Sequence, residues 1–240
     1  MYSLLLLFVL QSAFGQTASW WHPAPDTNRL MTTYRTPFLL STALISGGLV
    51  TYHQDTKERF QHFIRSRIDH QNTIEDYLQH GSYGLLIAGQ LFGQKPLHTP
   101  KGQLIYALTS NIGAVGITSI IKELVNERRP NGGHLSFPSG HTTHAFAAAT
   151  VLYWEYRESN PWIAYSGYSF ACATGLLRIV HNRHWINDVL AGAGIGILVP
   201  TLVYYYAPFP GMKWAPASKA ISFYPVYHSG GAGMGFSMKW

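Results

Sequence analysis

Six stretches free of Asp, Glu, Lys and Arg follow one another along the chain from Pro37 onwards. Each is rich in Leu, Ile, Ala, Gly and aromatic residues, and polar segments separate them. The stretches cover residues 37–54, 77–94, 102–121, 130–154, 159–177 and 189–212. The third and the sixth are long enough to cross a hydrocarbon core of about 30 Å, which takes about 20 helical residues. The pattern predicts an all-α fold, a bundle of six helices.

The polar content of these stretches leaves two placements of the bundle open. Many of them carry Ser, Thr, Asn and Gly, as in residues 110–113, which favours tight helix packing over direct contact with lipid. The bundle is therefore predicted to be membrane-embedded or to lie on the membrane as a membrane-associated periplasmic domain. Residues 55–76, between the first two stretches, are polar and carry four cationic side chains: Lys57, Arg59, Arg65 and Arg67.

The N-terminus has the pattern of an export signal. Residues 4–10 are apolar and lead into Ala13-Phe14-Gly15, with small residues at the two positions that a signal peptidase reads. Residues 1–15 are therefore predicted to be a signal peptide.

The C-terminal residues 207–240 form a tail rich in Pro and Gly. Residues 221–227 and 234–240 predict two short strands, joined by a flexible turn at the glycines of residues 230–233. Pro225 weakens the first strand because proline cannot donate to a sheet. We therefore expect an irregular or β-like tail.

Composition narrows the class of protein. Only 12% of the 240 residues are charged and 47% are hydrophobic, whereas about 25% charged residues is typical of soluble globular chains. This favours a membrane or its surface. The one cysteine, Cys172, excludes an internal disulfide framework and a cysteine-based zinc site. The net charge of +6 favours an anionic partner, which could be nucleic acid, acidic lipid or a phosphate ester.

A first polar cluster ends the third apolar stretch. Lys122 and Arg129 are seven residues apart, so on a helix they lie on one face, and Pro130 helps to end that helix. Two fixed cations can hold an anion between them. The alternative is an ordinary positive helix end that complements the helix dipole.

A second cluster, Pro138-Ser139-Gly140-His141, comes directly before an apolar run. A turn that opens a helix offers free backbone N–H groups, a hydroxyl and the positive end of the dipole, all of which suit phosphate oxygens. Ser-Gly is also a common turn and cap, so this motif alone is weak.

A third cluster contains Arg178, His184 and Asp188. If the segment is helical, the last two face each other, and the carboxylate can accept from one ring nitrogen and leave the other as a nucleophile. Arg178 adds a planar cation suited to phosphate. An exposed His–Asp pair without function is the alternative for this segment alone.

The three clusters together resemble the signature of the type 2 phosphatidic acid phosphatase (PAP2) superfamily. That superfamily includes bacterial class A acid phosphatases, lipid phosphate phosphatases and vanadium haloperoxidases. The resemblance covers about residues 80–206. It departs from the family pattern at Leu177, where the family usually has Ser, and this affects one hydroxyl contact.

The resemblance implies a PAP2-type phosphatase domain over residues 30–206 and a two-step mechanism without a cofactor. His184 would attack phosphorus to give a phosphohistidine, with Asp188 holding the imidazole. His141 would protonate the leaving alkoxide and then activate water. The remaining site residues would bind the substrate phosphate: Lys122, Arg129, Ser139, Gly140 and Arg178.

A metal site is the competing interpretation of the histidines. His141 and His144 are three residues apart, as are His181 and His184, and four imidazoles suit zinc or copper. The three cations of the clusters would then converge on a divalent cation, which is electrostatically unfavourable. We therefore expect no metal. His144 and His181 are interpreted as supporting residues, and His134 as a solvated loop residue.

The low charge and the export signal predict a protein of the bacterial cell envelope, in the inner membrane or periplasm. The resemblance implies that its site faces the periplasm, because membrane members of the family usually place these residues on the outer face of the membrane. Six spanning helices after a cleaved signal would instead place residues 122–140 in the cytoplasm. Either one early stretch, residues 37–54 or 77–94, does not span the membrane, or none does.

The predicted substrate and partner is a phosphorylated lipid in a membrane: lipid A, undecaprenyl pyrophosphate, phosphatidylglycerol phosphate or phosphatidic acid. No nucleic acid and no obligate protein partner are expected. The alternatives are a soluble, broad-specificity periplasmic acid phosphatase and a non-catalytic envelope protein that binds anions or has a structural role. A vanadium haloperoxidase would hold vanadate in the same cluster of cations, and the short chain argues against it.

Overall fold

Helices dominate the structure, a computed structural model that describes residues 27–65, 73–206, 220–228 and 231–239. The helices are α1 (Thr27–Val50), α2 (Gln54–Arg65), α3 (Ile74–Leu78), α4 (Gly81–Leu91), α5 (Pro100–Val125), α6 (Gly140–Tyr156), α7 (Pro161–Val180) and α8 (Ile186–Tyr206). Two strands follow, β1 (Ala220–His228) and β2 (Gly231–Lys239). The features discussed below all lie in the compact unit Pro37–Trp240.

The six predicted helices correspond to α1 and α4–α8, and the predicted helical fold class is confirmed. The two short helices α2 and α3 lie mostly in the polar segment 55–76, for which the sequence predicted no element, and α3 extends two residues into the stretch 77–94. The predicted signal peptide, residues 1–15, lies outside the described residues. The domain boundaries at residues 30 and 206 stay predictions.

Local signals explain where two of the long helices begin and where one of them ends. Pro100 and Pro161 occupy the first turns of α5 and α7, where a missing N–H costs nothing. The preceding Thr99 and Asn160 accept from the backbone N–H groups of Gly102 and Ile163, both at 3.3 Å. Helix α5 ends at Asn126, which adopts the left-handed conformation with a φ of 45°.

Small residues let α6 and α8 pack closely at the centre of the bundle. A Cβ added at Gly192 of α8 would lie 2.7 Å from the carbonyl oxygen of Ser139, and one at Gly196 would lie 2.6 Å from that of Thr143. Opposite them, α6 presents small buried side chains such as Ala147. The backbone at the start of α6 therefore rests directly on α8, which sets the position of Ser139.

Among the described residues, two helices, α5 and α8, are long and apolar enough to cross a membrane. Helix α8 is mostly buried inside the protein, whereas α5 is mostly exposed. Leu104, Leu108 and Ile112 of α5 lie four residues apart on one face and are 59%, 51% and 70% exposed. A continuous exposed apolar face marks a surface that contacts lipid or another protein, and it supports the predicted membrane association.

The tail contains an antiparallel hairpin in which Ala220 pairs with Lys239 and Phe223 with Phe236. It lies where the sequence predicts two short strands. The boundary differs, because β2 begins at Gly231 and so includes glycines that the sequence placed in the turn. Pro225 lies inside β1, opposite Met234.

We predict that Gly192→Ala destabilises the protein by about 1–3 kcal/mol, because the added methyl group forces apart two backbones that have no room to move. Gly116→Ala in α5 is the matched control, since a Cβ there meets nothing within 4 Å. Alanine favours a helix over glycine by up to about 1 kcal/mol, so the control is expected to be neutral or slightly stabilising. Denaturant unfolding in one detergent compares them, and equal stabilities would contradict the packing described.

Candidate active site

Asp188 is completely buried in the first turn of α8 and accepts several hydrogen bonds. Its Oδ2 atom accepts from the hydroxyl of Ser136, from the backbone N–H of Trp185 at 2.9 Å and from Nδ1 of His184 at 3.1 Å. Its Oδ1 atom accepts from the side chain of Asn187 at 3.1 Å. The carboxylate is therefore held rigidly from several directions.

His184 and Asp188 are in contact, as predicted, but only Asp188 lies on a helix. Helix α8 begins at Ile186, so His184 lies in the preceding turn rather than on the helix. Because a carboxylate only accepts, the ring proton lies on Nδ1 and the lone pair on Nε2. His184 is 1% exposed. The residue is thus a buried imidazole oriented by a carboxylate.

Hydrogen bonds to backbone carbonyl oxygens connect the second cluster to the third, order the third, and hold Lys122 of the first beside the residues that precede the second. The N–H of Ser139 donates to the carbonyl oxygen of Asp188 at 2.9 Å, and the N–H of His184 donates to that of Arg178 at 3.1 Å. The ammonium of Lys122 donates to the carbonyl oxygens of Leu135 at 2.7 Å and Ser136 at 3.1 Å. Segments far apart in sequence therefore meet at one end of the bundle.

Positive charge surrounds the buried imidazole. Burial, followed by the charges of Lys122, Arg178 and Arg129, holds the pKa of His184 well below its usual value. The ring is therefore neutral at physiological pH. Arg178 is 6% exposed, and among the described residues its Nε–H is buried without a hydrogen-bond acceptor. Such an unpaired donor is suited to an anion.

The start of α6 adds neutral donors to these charges. Ser139 is completely buried and precedes the helix, and its hydroxyl accepts from Thr142 at 2.9 Å instead of capping the helix itself. A Cβ at Gly140 would lie 3.8 Å from Cε of Lys122, so the ammonium-bearing chain runs past the helix N-terminus. The peptide bond between Phe137 and Pro138 in this turn is cis. The arrangement combines helix N–H groups, a hydroxyl and cations.

Residues 131–211 match the family model of the PAP2 superfamily. The predicted resemblance to that superfamily is confirmed. The chain is 34% identical over 167 residues to a lipid A 1-phosphatase of Porphyromonas gingivalis, which covers 69% of this chain and 37% of the relative. It is 30% identical over 122 residues to a probable lipid phosphate phosphatase 4 of Arabidopsis thaliana, covering 45% of this chain and 37% of the relative.

The fold also matches a solved PAP2 structure. A transmembrane PAP2-type phosphatidylglycerolphosphate phosphatase from Bacillus subtilis has a TM-score of 0.50 and 18% sequence identity, covering 72% of this chain and 94% of that one. At this identity the likeness concerns the fold. The chain spans only about a third of the length of the two sequence relatives just described.

Two acidic residues of α3 adjoin the PAP2 motif residues and were missed by the sequence reasoning. Glu75 is 1% exposed and contacts Nη1 of Arg178 at 3.3 Å and Nδ1 of His181 at 2.9 Å. Asp76 lies 2.9 Å from Nε2 of His141 and 3.7 Å from Arg178. Their short helix lies in a polar segment, and no local pattern distinguishes them from surface acids.

A buried ion pair also supports the motif and was not predicted. Lys57 of α2 pairs with Glu127, and the two residues are 4% and 8% exposed. The amide of Asn187 donates to Glu127 at 3.5 Å and to Asp188 at 3.1 Å. Lys57 was interpreted only as part of a positive segment, but it lies in a chain of contacts that reaches the central carboxylate.

The other histidines have partners of their own or face solvent. His181 contacts Glu75, and Nε2 of His144 lies 3.1 Å from Nδ1 of His80. His134 is exposed. Within the described part of the chain, no group of three or more His, Cys, Asp or Glu side chains is placed to hold a metal ion.

The pKa of His144 predicts a loss of stability in acid. Burial, with smaller contributions from His80 and His141, lowers this pKa from 6.5 to about 4. Below pH 6.5 the unfolded chain therefore takes up a proton that the folded protein does not, and the free energy of unfolding falls between about pH 6.5 and 4.

Replacing His144 with Gln should reduce the slope of the unfolding free energy against pH in this range. The reduction is up to about 1.4 kcal/mol per pH unit, the slope that uptake of one proton produces. Denaturant unfolding at several pH values measures the slope. His134→Gln, at an exposed position, is the matched control. A His144→Gln slope equal to that of the wild type would contradict the assigned pKa.

Proposed function

We propose that this chain is a phosphatase of the cell envelope that releases inorganic phosphate from a phosphorylated lipid. One observation supports this most strongly: a neutral, buried imidazole, His184, lies among three cations and is oriented by Asp188. A neutral imidazole with its lone pair on Nε2 is a nucleophile, and surrounding cations attract a phosphate group to it.

In the first step, Nε2 of His184 attacks phosphorus, and the bond to the leaving oxygen breaks on the opposite side. The electron pair of that bond stays with the leaving oxygen, which takes a proton from His141. The imidazole of His184 becomes positive as the N–P bond forms, and Asp188 stabilises that charge at Nδ1. The product is a phosphohistidine and a free alcohol.

In the second step, His141 is neutral and accepts a proton from water as the water attacks phosphorus. The N–P bond breaks, its electron pair returns to Nε2 of His184, and phosphate leaves. One residue therefore serves as acid and then as base, and the protein returns to its starting state.

The remaining site residues stabilise negative charge on the phosphoryl oxygens. The fixed charges are Lys122, Arg129 and Arg178, and the neutral donors are the hydroxyl of Ser139 and the N–H of Gly140. Loss of one such donor costs about 3–4 kcal/mol of transition-state stabilisation in comparable sites. Because the chain itself supplies three cations, the mechanism uses no metal ion or other cofactor.

A lipid substrate is supported by the surface next to the site. Lys122 lies in the last turn of α5, two residues before Leu124, which is 80% exposed, and the exposed apolar face of α5 continues along the helix. A phosphate at the site would thus lie at the end of a lipid-facing helix. The name of the Porphyromonas gingivalis relative favours the 1-phosphate of lipid A within the predicted set of lipid phosphates.

We further propose that the site faces the periplasm. The apolar run at residues 4–10, followed by small residues, supports export of the chain. A periplasmic site also gives the enzyme access to exported lipid phosphates.

A phosphate-release assay over purified lipid A, undecaprenyl pyrophosphate, phosphatidylglycerol phosphate and phosphatidic acid tests this function. We expect release from at least one of them in detergent, and a loss of about 10³-fold or more in His184→Gln, since that variant lacks the nucleophile. His53→Gln, at an exposed position outside the site, is the matched control.

Three other outcomes would contradict the proposal. Faster hydrolysis of small phosphate esters without lipid or detergent would indicate a soluble acid phosphatase. Phosphate binding without release from any ester would indicate an anion-binding protein. Full activity in a folded His184→Gln variant would assign the nucleophile elsewhere.

A further inference from the structure

A carboxylate, Asp76, lies 3.7 Å from Arg178 of the proposed site, where its charge opposes the binding of phosphate. Oδ1 of Asp76 is 2.9 Å from Nε2 of His141, and the two side chains are 46% and 34% exposed. A negative charge at this position repels an anionic substrate. Asp76 is therefore expected to have a role in the reaction that offsets this repulsion.

Neutralising Arg178 is not a sufficient role for Asp76. The neighbouring Glu75 already pairs with Arg178 at 3.3 Å and is buried with it. The contact of Asp76 with Arg178 is longer, 3.7 Å, than its contact with His141, 2.9 Å. The two consecutive acids of α3 thus have separate partners, and the partner of Asp76 is the imidazole.

Several groups act on the His141 ring. Burial and the positive charge of Arg178 lower the pKa of His141, whereas Asp76 and Glu75 raise it, and the net shift is downward. His144, one turn further along α6, and the nucleophile His184 are the other imidazoles that interact with it. Asp76 is the group in direct contact that favours the protonated ring.

We propose that Asp76 is a positioning residue for proton transfer by His141, a role that rests on the proposed phosphatase function. Its carboxylate accepts the Nε2–H of His141, which fixes the ring plane and favours the imidazolium. The second ring proton, on Nδ1, is then the one that goes to the leaving oxygen.

The proton balance of this step is complete without another reactant. The Nδ1–H bond breaks, an O–H bond forms on the leaving oxygen, and the ring keeps its Nε2–H toward Asp76. In the hydrolysis step the Nδ1 lone pair takes a proton from water, which restores the imidazolium. Asp76 exchanges no proton in either step and touches neither phosphorus nor the leaving group.

This role predicts a dependence on the leaving group. An alcohol leaves poorly as an alkoxide and needs the proton from His141, whereas p-nitrophenol leaves as a stable anion and does not. In a single turnover with protein in excess, Asp76→Asn should therefore lower the rate of alcohol release from the lipid phosphomonoester roughly 10- to 100-fold, less than the loss of a whole general acid. With p-nitrophenyl phosphate the single-turnover release of p-nitrophenol should fall less than about threefold, because protonation contributes little to that first step and hydrolysis of the phosphohistidine does not enter it.

The same variant should not raise KM, because removing a negative charge does not weaken the binding of an anion. Asp76→Glu should recover part of the single-turnover rate for the lipid substrate. Asp55→Asn is the matched control, since it makes the same chemical change at an exposed position in the first turn of α2. Thermal unfolding of each variant in the same detergent identifies losses that arise from misfolding.

An NMR titration, which needs no turnover of substrate, tests the contact between Asp76 and His141 itself. In protein labelled with ¹³C-histidine, the NMR signal of His141 is assigned by its absence in His141→Gln. Asp76→Asn should lower the pKa of His141, and Asp55→Asn should leave it unchanged. If wild-type protein releases no phosphate from any lipid, the proposed function fails, and this titration still decides whether Asp76 pairs with His141.

Two results would overturn the proposal while leaving the phosphatase function in place. One is an equal loss in the single-turnover rate of leaving-group release for the two substrates in a folded Asp76→Asn protein, which would indicate a general structural role. The other is a pKa of His141 that does not change in Asp76→Asn.

Discussion

The geometry of the site depends on one buried carboxylate, that of Asp188. Its side chain orients His184, and its backbone carbonyl oxygen accepts from the N–H of Ser139, the residue before α6. Both the proposed nucleophile and the proposed anion-binding turn are therefore located by one residue. The close packing of α8 on α6 at Gly192 keeps that residue in place. A shift of α8 would move both parts of the site together.

The cations of the site are held in two different ways. Lys122 and Arg129 donate to backbone carbonyl oxygens, which fix the side chains without cancelling their charge. Arg178 instead pairs with the buried Glu75. A buried cation without any partner is costly, so these contacts allow a strongly positive site inside a folded protein. They also leave part of the positive charge uncancelled, as the proposed binding of a substrate phosphate requires.

The sequence predicted the structural features that depend on local residue patterns. Helices α4–α8 followed from apolar stretches with Pro and polar residues at their ends. That the three clusters meet followed from the family resemblance. The pattern did not predict α2 and α3, whose few buried residues, Lys57, Gln61 and Glu75, are polar or charged and look like surface residues in sequence. Their burial depends on partners such as Glu127 and His181, 70 and 106 residues away.

The central claim is that His184 attacks phosphorus within this cluster of cations, and rapid-quench trapping tests it most directly. Protein mixed with a substrate carrying ³²P in its phosphate would be denatured in base, which preserves phosphohistidine, and the labelled peptide would be identified by mass spectrometry. The account predicts label on His184 in the wild type and no label in His184→Gln. Label on Ser139 or another side chain, or substrate turnover with no labelled protein at any time point, would contradict it.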